Sequence, residues 1–454
     1  MRLLADNPLK SKPGLNGPPP PNISPATLLS SSHLRIIMLR QLSVLALLLC
    51  SASSLFLAQD SNSGHYLFAW VGAEKTGAKK TGAEKSAAEP GNDFLAVIDA
   101  DPASPSYGHL VTTLATDQKT QMVHHTEYIM PVSGMLFAND HTAGRTFIFD
   151  LRDPLHPKVA TSFTDVAGYM HPHSYLRLPN GHILATFQHS HDSMSPEPLG
   201  KTGGLVEIDD SGRVIRSSSS ADPAFSGALL TPYSLVVLPE IDRVVSTNSS
   251  MHFEDIFRGL TYQVWRLSDL KLLKTAYLDE GGNHYAQISP EEPRLGPDGA
   301  VYVQTLGCGI ERITGIASAE PKSQLVYSFP TSFCGVPTIV GHYLIQPISY
   351  FHTAIVLDIA DGTKPVEVAR LKFDDNFFPH WTSWDAKTQR LVVTSGNSGL
   401  PGLLLLKFDQ TTGALTLDEA FHDDAGKPGM NFIDRSWPQG WTGSGRPHGA
   451  VFSR

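Results

Sequence analysis

A chain of 454 residues with 35 Lys and Arg against 44 Asp and Glu carries a formal charge of −9. That balance excludes nucleic acid as a main partner, because phosphate binding needs concentrated Lys and Arg. With 41% hydrophobic and only 17% charged residues there is ample core material, and 38 Gly with 33 Pro predict many turns.

Met38 to Ala58, MLRQLSVLALLLCSASSLFLA, pairs a basic start at Arg40 with an apolar run and then small residues suited to signal-peptidase cleavage. It is expected to be a Sec-type export signal, giving a periplasmic or secreted protein. The segment is short and soon followed by polar residues, so no stable membrane span is expected after its removal; an uncleaved anchor is the alternative. Residues 1–37, rich in Pro and Ser, are read as a non-structural extension, with Met38 as an alternative translation start. Residues 59–454 are expected to form the folded domain.

Beyond the signal, long helical periodicity is nearly absent. Short runs enriched in β-branched and aromatic residues, such as HYLFAWVG, DFLAVID, GRTFIFDL, GGLVEID, RVVSTN, AVYVQTL, HTAIVLDI and RLVVTSG, are separated by Gly, Pro, Asn and Asp. This predicts an all-β protein. The stretch from Gly72 to Gly91, a near-repeat of GAEKTGAKK between two such runs, reads as a solvated hairpin insertion.

A histidine, or a residue in its place, opens an apolar run at a recurring point of the pattern. Units begin near His124, His173, Thr231, His284, Cys334 and His380, spaced by roughly forty to sixty residues, the range of propeller blades. A seventh unit would be shared between the ends: HGAVFSR, opened by His448, as innermost strand, with HYLFAWVG, DFLAVID and GHLVTTL outside it. Closing the ring in this way removes an exposed sheet edge. The expectation is therefore a seven-bladed β-propeller closed by N- and C-terminal strands.

Propeller geometry brings the innermost strands together around a narrow channel, so residues opening those strands face one another. His124, His125, His173, His284, His380 and His448 are accordingly candidate metal ligands. Imidazoles suit copper, zinc, iron or nickel, whereas magnesium or calcium would call for oxygen. Tyr233 stands where the third unit lacks an opening His. Glu127, three residues after His124, is a candidate to orient a ligand or carry a proton. His141, His182, His189, His191, His342 and His352 are assigned to turns or later strands. Cys308 and Cys334 can form one disulfide or remain two buried thiols.

The order VHHTEY, PHSYLRLPNG with TGGLVEID, TPYSLVVLPEIDRVVSTNSSMHFED, GAVYVQTLGCGIERI and a closing PHG resembles the selenium-binding protein family that includes methanethiol oxidases. The resemblance runs through residues 120–454 in short motifs. It implies copper held by His124, His125, His173 and His448, with His380 matching the His of a GHDI-like opening strand; His284 rests on the repeat alone. It also implies a small thiol substrate, methanethiol, oxidised by dioxygen to formaldehyde, hydrogen sulfide and hydrogen peroxide. Two departures stand out. HHTEYIMPVSGM lacks the family's cysteine-rich segment, so selenium binding is not carried over, and PHGAVF lacks the acidic neighbour of the last His. The alternative is a non-catalytic propeller that binds a protein, glycan or small molecule. A calcium lactonase would need inward carboxylates at the strand openings, and no GxSxG elbow is present for a serine hydrolase.

Overall fold

The computed structural model describes residues 64–74, 91–119, 122–164, 166–190 and 202–454. The segment read as an export signal, the residues before it, most of the Lys-rich insertion and His191 lie outside the described residues. No helix among the described residues is long and apolar enough to cross a membrane.

Seven antiparallel sheets form the seven expected blades. In chain order, the innermost strands of the first six blades are Val123–Thr126, Tyr169–Arg177, Pro232–Leu238, Pro290–Leu295, Thr338–Val340 and Phe377–Asp385. The seventh blade closes the ring: Gly445–Phe452 is innermost and pairs with Tyr66–Ala73, followed outward by Asn92–Asp99 and Leu110–Lys119.

The sequence explains the layering within each blade. Middle strands such as Leu136 to Phe149 and Ile345 to Leu357 pack on both faces and read as continuous apolar runs. Outermost strands are covered on one face only, so Val214–Ser219 and Val366–Lys372 alternate between exposed and partly buried residues. Seven apolar clusters each join neighbouring blades; in one, Phe68 and Trp70 of the seventh blade pack with Phe147 and Phe149 of the first. Each blade thus buries both faces against its neighbours, and the strand edges that remain are short and protected.

Cys308 and Cys334 form a disulfide, closing a separation of 26 residues between the fourth blade and the approach to the fifth. Of the two readings open from sequence, the structure adopts the paired one. Both cysteines are buried, and Cys334 reaches the wall of the central cavity.

Candidate metal centre

One local device builds the channel lining. In every blade but the fifth, the innermost strand slips register against its neighbour near the point where it meets the axis: between Val123 and Thr126, Pro172 and Tyr175, Pro232 and Leu235, Pro290 and Pro293, and Pro379 and Trp381. In the seventh blade the slip falls opposite His448 and Gly449. A bulge of this kind leaves the extra residue outside the ladder and re-aims side chains. Proline precedes the slip in five of these six blades because it has no N–H to contribute there. The residues delivered are His124 and His125, His173 and Ser174, Tyr233 and Ser234, Glu291 and Glu292, His380, and His448.

The second strands of four blades then tie these bulges to one another. Asn139 accepts from the His125 N–H at 2.7 Å and donates to the His173 carbonyl at 3.0 Å. Thr186 accepts from the Ser174 N–H and donates to the Tyr233 carbonyl, at 2.9 and 2.8 Å. Thr247 links the Ser234 N–H to the Glu291 carbonyl, and Thr394 donates to the His448 carbonyl. Each of these four blades therefore holds the site backbone of the next, which fixes the side chains above it.

Five of the six predicted histidines meet at the axis. Ring centroids lie 4.1 Å apart for His124 and His125, 4.2 Å for His124 and His448, 4.4 Å for His125 and His173, and 4.6 Å for His380 and His448. One ligand atom from each of His124, His125, His380 and His448 falls within 4.8 Å of all the others, and His125, His173 and Glu292 form a second such group. Tyr233 stacks on His173 at 3.6 Å, filling the place its unit lacks in imidazole, and Trp381 covers His125 at 4.9 Å.

Electrostatics favours a metal over protons here. Burial, reinforced by repulsion among the imidazoles, holds His124, His125, His173 and His448 well below their usual range, and burial brings His380 down to about 4. The rings are neutral at physiological pH, with lone pairs available. His124 Nδ1, His125 Nε2, His173 Nε2, His380 Nε2 and both nitrogens of His448 are buried without a hydrogen-bond partner. Leaving one buried polar atom unpaired costs about 1–3 kcal/mol. A transition-metal ion satisfies several of them at once, so the donor set fits such an ion. His173 Nδ1 contacts the Ser174 hydroxyl at 3.2 Å, and His125 Nδ1 lies 3.3 Å from that hydroxyl and 3.7 Å from Glu292 Oε1. These contacts turn the unpaired Nε2 atoms toward the cluster.

Three expectations need correction or addition. His284 is not at the axis: it lies on a 3-10 turn, His284–Gln287, ahead of the fourth innermost strand, is 63% exposed and pairs with Glu280 at 3.3 Å. Glu291 and Glu292 hold the place assigned to it. Glu127 is buried but faces the first blade, taking Arg177 Nε on Oε1 at 2.8 Å and the Phe137 N–H on Oε2 at 3.0 Å. Strand alternation after the bulge turns it from the histidines, so it has no contact with the ligand set. Replacing Glu127 by Ala leaves Arg177 without its buried partner and is expected to lower stability by roughly 3 kcal/mol while metal content stays unchanged. Calorimetry together with metal analysis checks both halves of that expectation.

Glu291 and Glu292 were missed because the units were aligned on histidine. Aligned on proline instead, PHS at 172, PYS at 232, PEE at 290, PHW at 379 and PHG at 447 share one register. Glu292 accepts from Ser234 and Arg294, at 2.8 and 3.0 Å. Glu291 faces a cavity of about 230 Å³ that also takes in His124, Tyr233, Met251, Cys334 and His380. Burial pushes its carboxyl up to about 8, so it carries a proton at neutral pH.

The fold and these residues define a class: a seven-bladed propeller with a buried histidine cluster, of a composition suited to a transition metal, on its axis. A stretch of 109 residues is 32% identical to methanethiol oxidase from Hyphomicrobium sp., covering 23% of this chain. The matched segment spans only a quarter of that relative's length. A hypothetical selenium-binding protein from Sulfolobus tokodaii shares the fold with a TM-score of 0.64 at 14% identity, over 87% of this chain and 95% of its own. The periplasmic gluconolactonase of Pseudomonas aeruginosa follows with a TM-score of 0.56 at 12% identity, over 86% and 99%, and shows the propeller fold alone. No family model matches. The chain thus bears a distant resemblance to the selenium-binding protein and methanethiol oxidase family.

Proposed function

We propose that the chain is an exported, copper-dependent oxidase of a small thiol, acting on methanethiol with dioxygen and water to give formaldehyde, hydrogen sulfide and hydrogen peroxide. The observation that carries this reading is the set of buried imidazole nitrogens left unpaired around one point on the axis. The likeness to methanethiol oxidase supports the reaction, and copper is chosen among the ions that imidazole suits. Export is supported by the signal-like segment from Met38 to Ala58 and by a disulfide, which persists in oxidising compartments.

His124, His125, His173, His380 and His448 would hold the ion. Copper bound there supplies a soft acceptor for sulfur and electron exchange with dioxygen. The chain's own residues do the rest. The cavity has room for a one-carbon thiol, and part of its wall, including Met251, Leu306 and Phe333, is apolar. Tyr233 keeps His173 in place from one side and Trp381 keeps His125 in place from another, the latter anchored by its indole N–H on the Ala450 carbonyl at 2.8 Å. Glu291 holds a proton at the cavity wall and exchanges it with the reacting molecules.

The test is to load the chain from Gln59 onward with copper and supply methanethiol. The expected result is about one retained copper per chain and equal yields of formaldehyde, sulfide and peroxide. A copper-loaded protein that leaves methanethiol unconsumed overturns the reaction assigned; no retained copper returns the chain to the binding-module reading.

A further inference from the structure

A second set of imidazoles runs outward from the axial cluster. His141, at the end of the second strand of the first blade, lies 6.2 Å from His124 and 5.9 Å from His173 between ring centroids. His171 follows at 5.5 Å from His141, His189 at 5.1 Å from His171, and His252 at 5.8 Å from His189. They come from three blades: His141 from the first, His171 and His189 from the second, and His252 from the loop after Arg243–Asn248 of the third. His141 and His189 are buried, His171 is partly buried and His252 is exposed.

We propose that His171, His189 and His252 form a second transition-metal site at the rim of the channel, from which His141 leads to the axial cluster. Two imidazoles sharing an ion at about 2.0 Å from each nitrogen have centroids about 4.5–5.5 Å apart. The His171–His189 spacing falls inside that range, and the His189–His252 spacing exceeds it by an amount that a side chain on a loop closes. The rings are also oriented. His171 Nδ1 donates to the His141 carbonyl at 3.0 Å, which fixes the tautomer with the Nε2 lone pair free for a metal. That geometry is held although His171 sits at φ +57°, in the left-handed region that disfavours a side chain.

His141 is set in the same manner. Gln188 donates its amide N–H to the Ser249 carbonyl at 3.1 Å, so its oxygen must accept from His141 Nε2 at 2.9 Å. The Nδ1 lone pair of His141 is thereby left as the donor between rim and axis. The rim site takes ions that imidazole suits, copper or zinc, and its exposure makes it the weaker and faster of the two. It shares with the oxidase reading only the premise that the axial cluster takes a metal.

The test is a copper(II) titration followed by electron paramagnetic resonance. Wild-type protein is expected to bind two equivalents with distinct spectra, and His124→Ala with His125→Ala to keep the weaker one. Adding His171→Asn and His252→Ala should remove it. His252→Ala alone, a loop substitution that leaves the ring intact, should slow filling of the axial site from dilute copper about tenfold, judged against the exposed-ligand role it would lose. A single equivalent in the wild type, or filling unchanged in His252→Ala, overturns the proposal. A rim signal in a protein that leaves methanethiol untouched upholds this inference and counts against the oxidase alone.

Discussion

Replacing His124 and His125 together by Ala is expected to abolish tight metal binding, with affinity falling at least about 100-fold, while the seven blades stay assembled. The two residues stand at the centre of the cluster: His124 neighbours His448 and His173, and His125 neighbours His173 and Trp381. Removing an orienting partner alone typically costs 10–100-fold in affinity, and these are the donors themselves. The ring survives because its blades are joined by seven apolar clusters, none of which includes either histidine. Mass spectrometry of the purified variant after copper loading, beside its circular dichroism, decides the matter. Full metal content in a folded variant would sink the ligand set.

The metal-free protein is expected to lose stability steeply as pH falls from 6.5 toward 4. A histidine whose folded pKa is lowered binds its proton only in the unfolded chain across that interval, so acid favours unfolding and the stability is restored above pH 6.5. His380, brought down to about 4, accounts for roughly 3 kcal/mol by itself. His124, His125, His173 and His448 shift in the same direction. Their losses act in the same direction as that of His380. Copper competes with protons for the same nitrogens, so loading should move the acid transition to lower pH, and His380→Gln should flatten its slope in the metal-free form. Tryptophan fluorescence against pH, with and without copper, measures both; a transition indifferent to either change would refute a neutral buried cluster.

The ring and most of the axial cluster were legible from sequence because both repeat. His124, His173, His380 and His448 recur at one point of a strand pattern, and closure through Gly445–Phe452 followed from needing a partner for Tyr66–Ala73. What failed was the anchor used for alignment. Histidine marks the site only where chemistry requires imidazole, whereas the preceding proline marks the bulge that the fold itself requires. In the fourth blade the two separate, His284 falling on a turn and Pro290 introducing Glu291 and Glu292. The direction of Glu127 depended on which residue the first bulge displaces, and that is set by pairing with Met135–Asp140 rather than by local sequence. The rim histidines gave no repeat signal, since they arise on different strands and loops and meet only in three dimensions.

The closing strand has a consequence for biogenesis. His448 lies on Gly445–Phe452, which follows all six other innermost strands in chain order yet pairs with Tyr66–Ala73. A growing or still unfolded polypeptide therefore has no complete ligand set, however much of it has emerged. The full axial set is assembled only when the two ends of the ring meet, so complete occupancy of that site would mark the end of maturation, and a chain that fails to close would keep only a partial set of axial ligands.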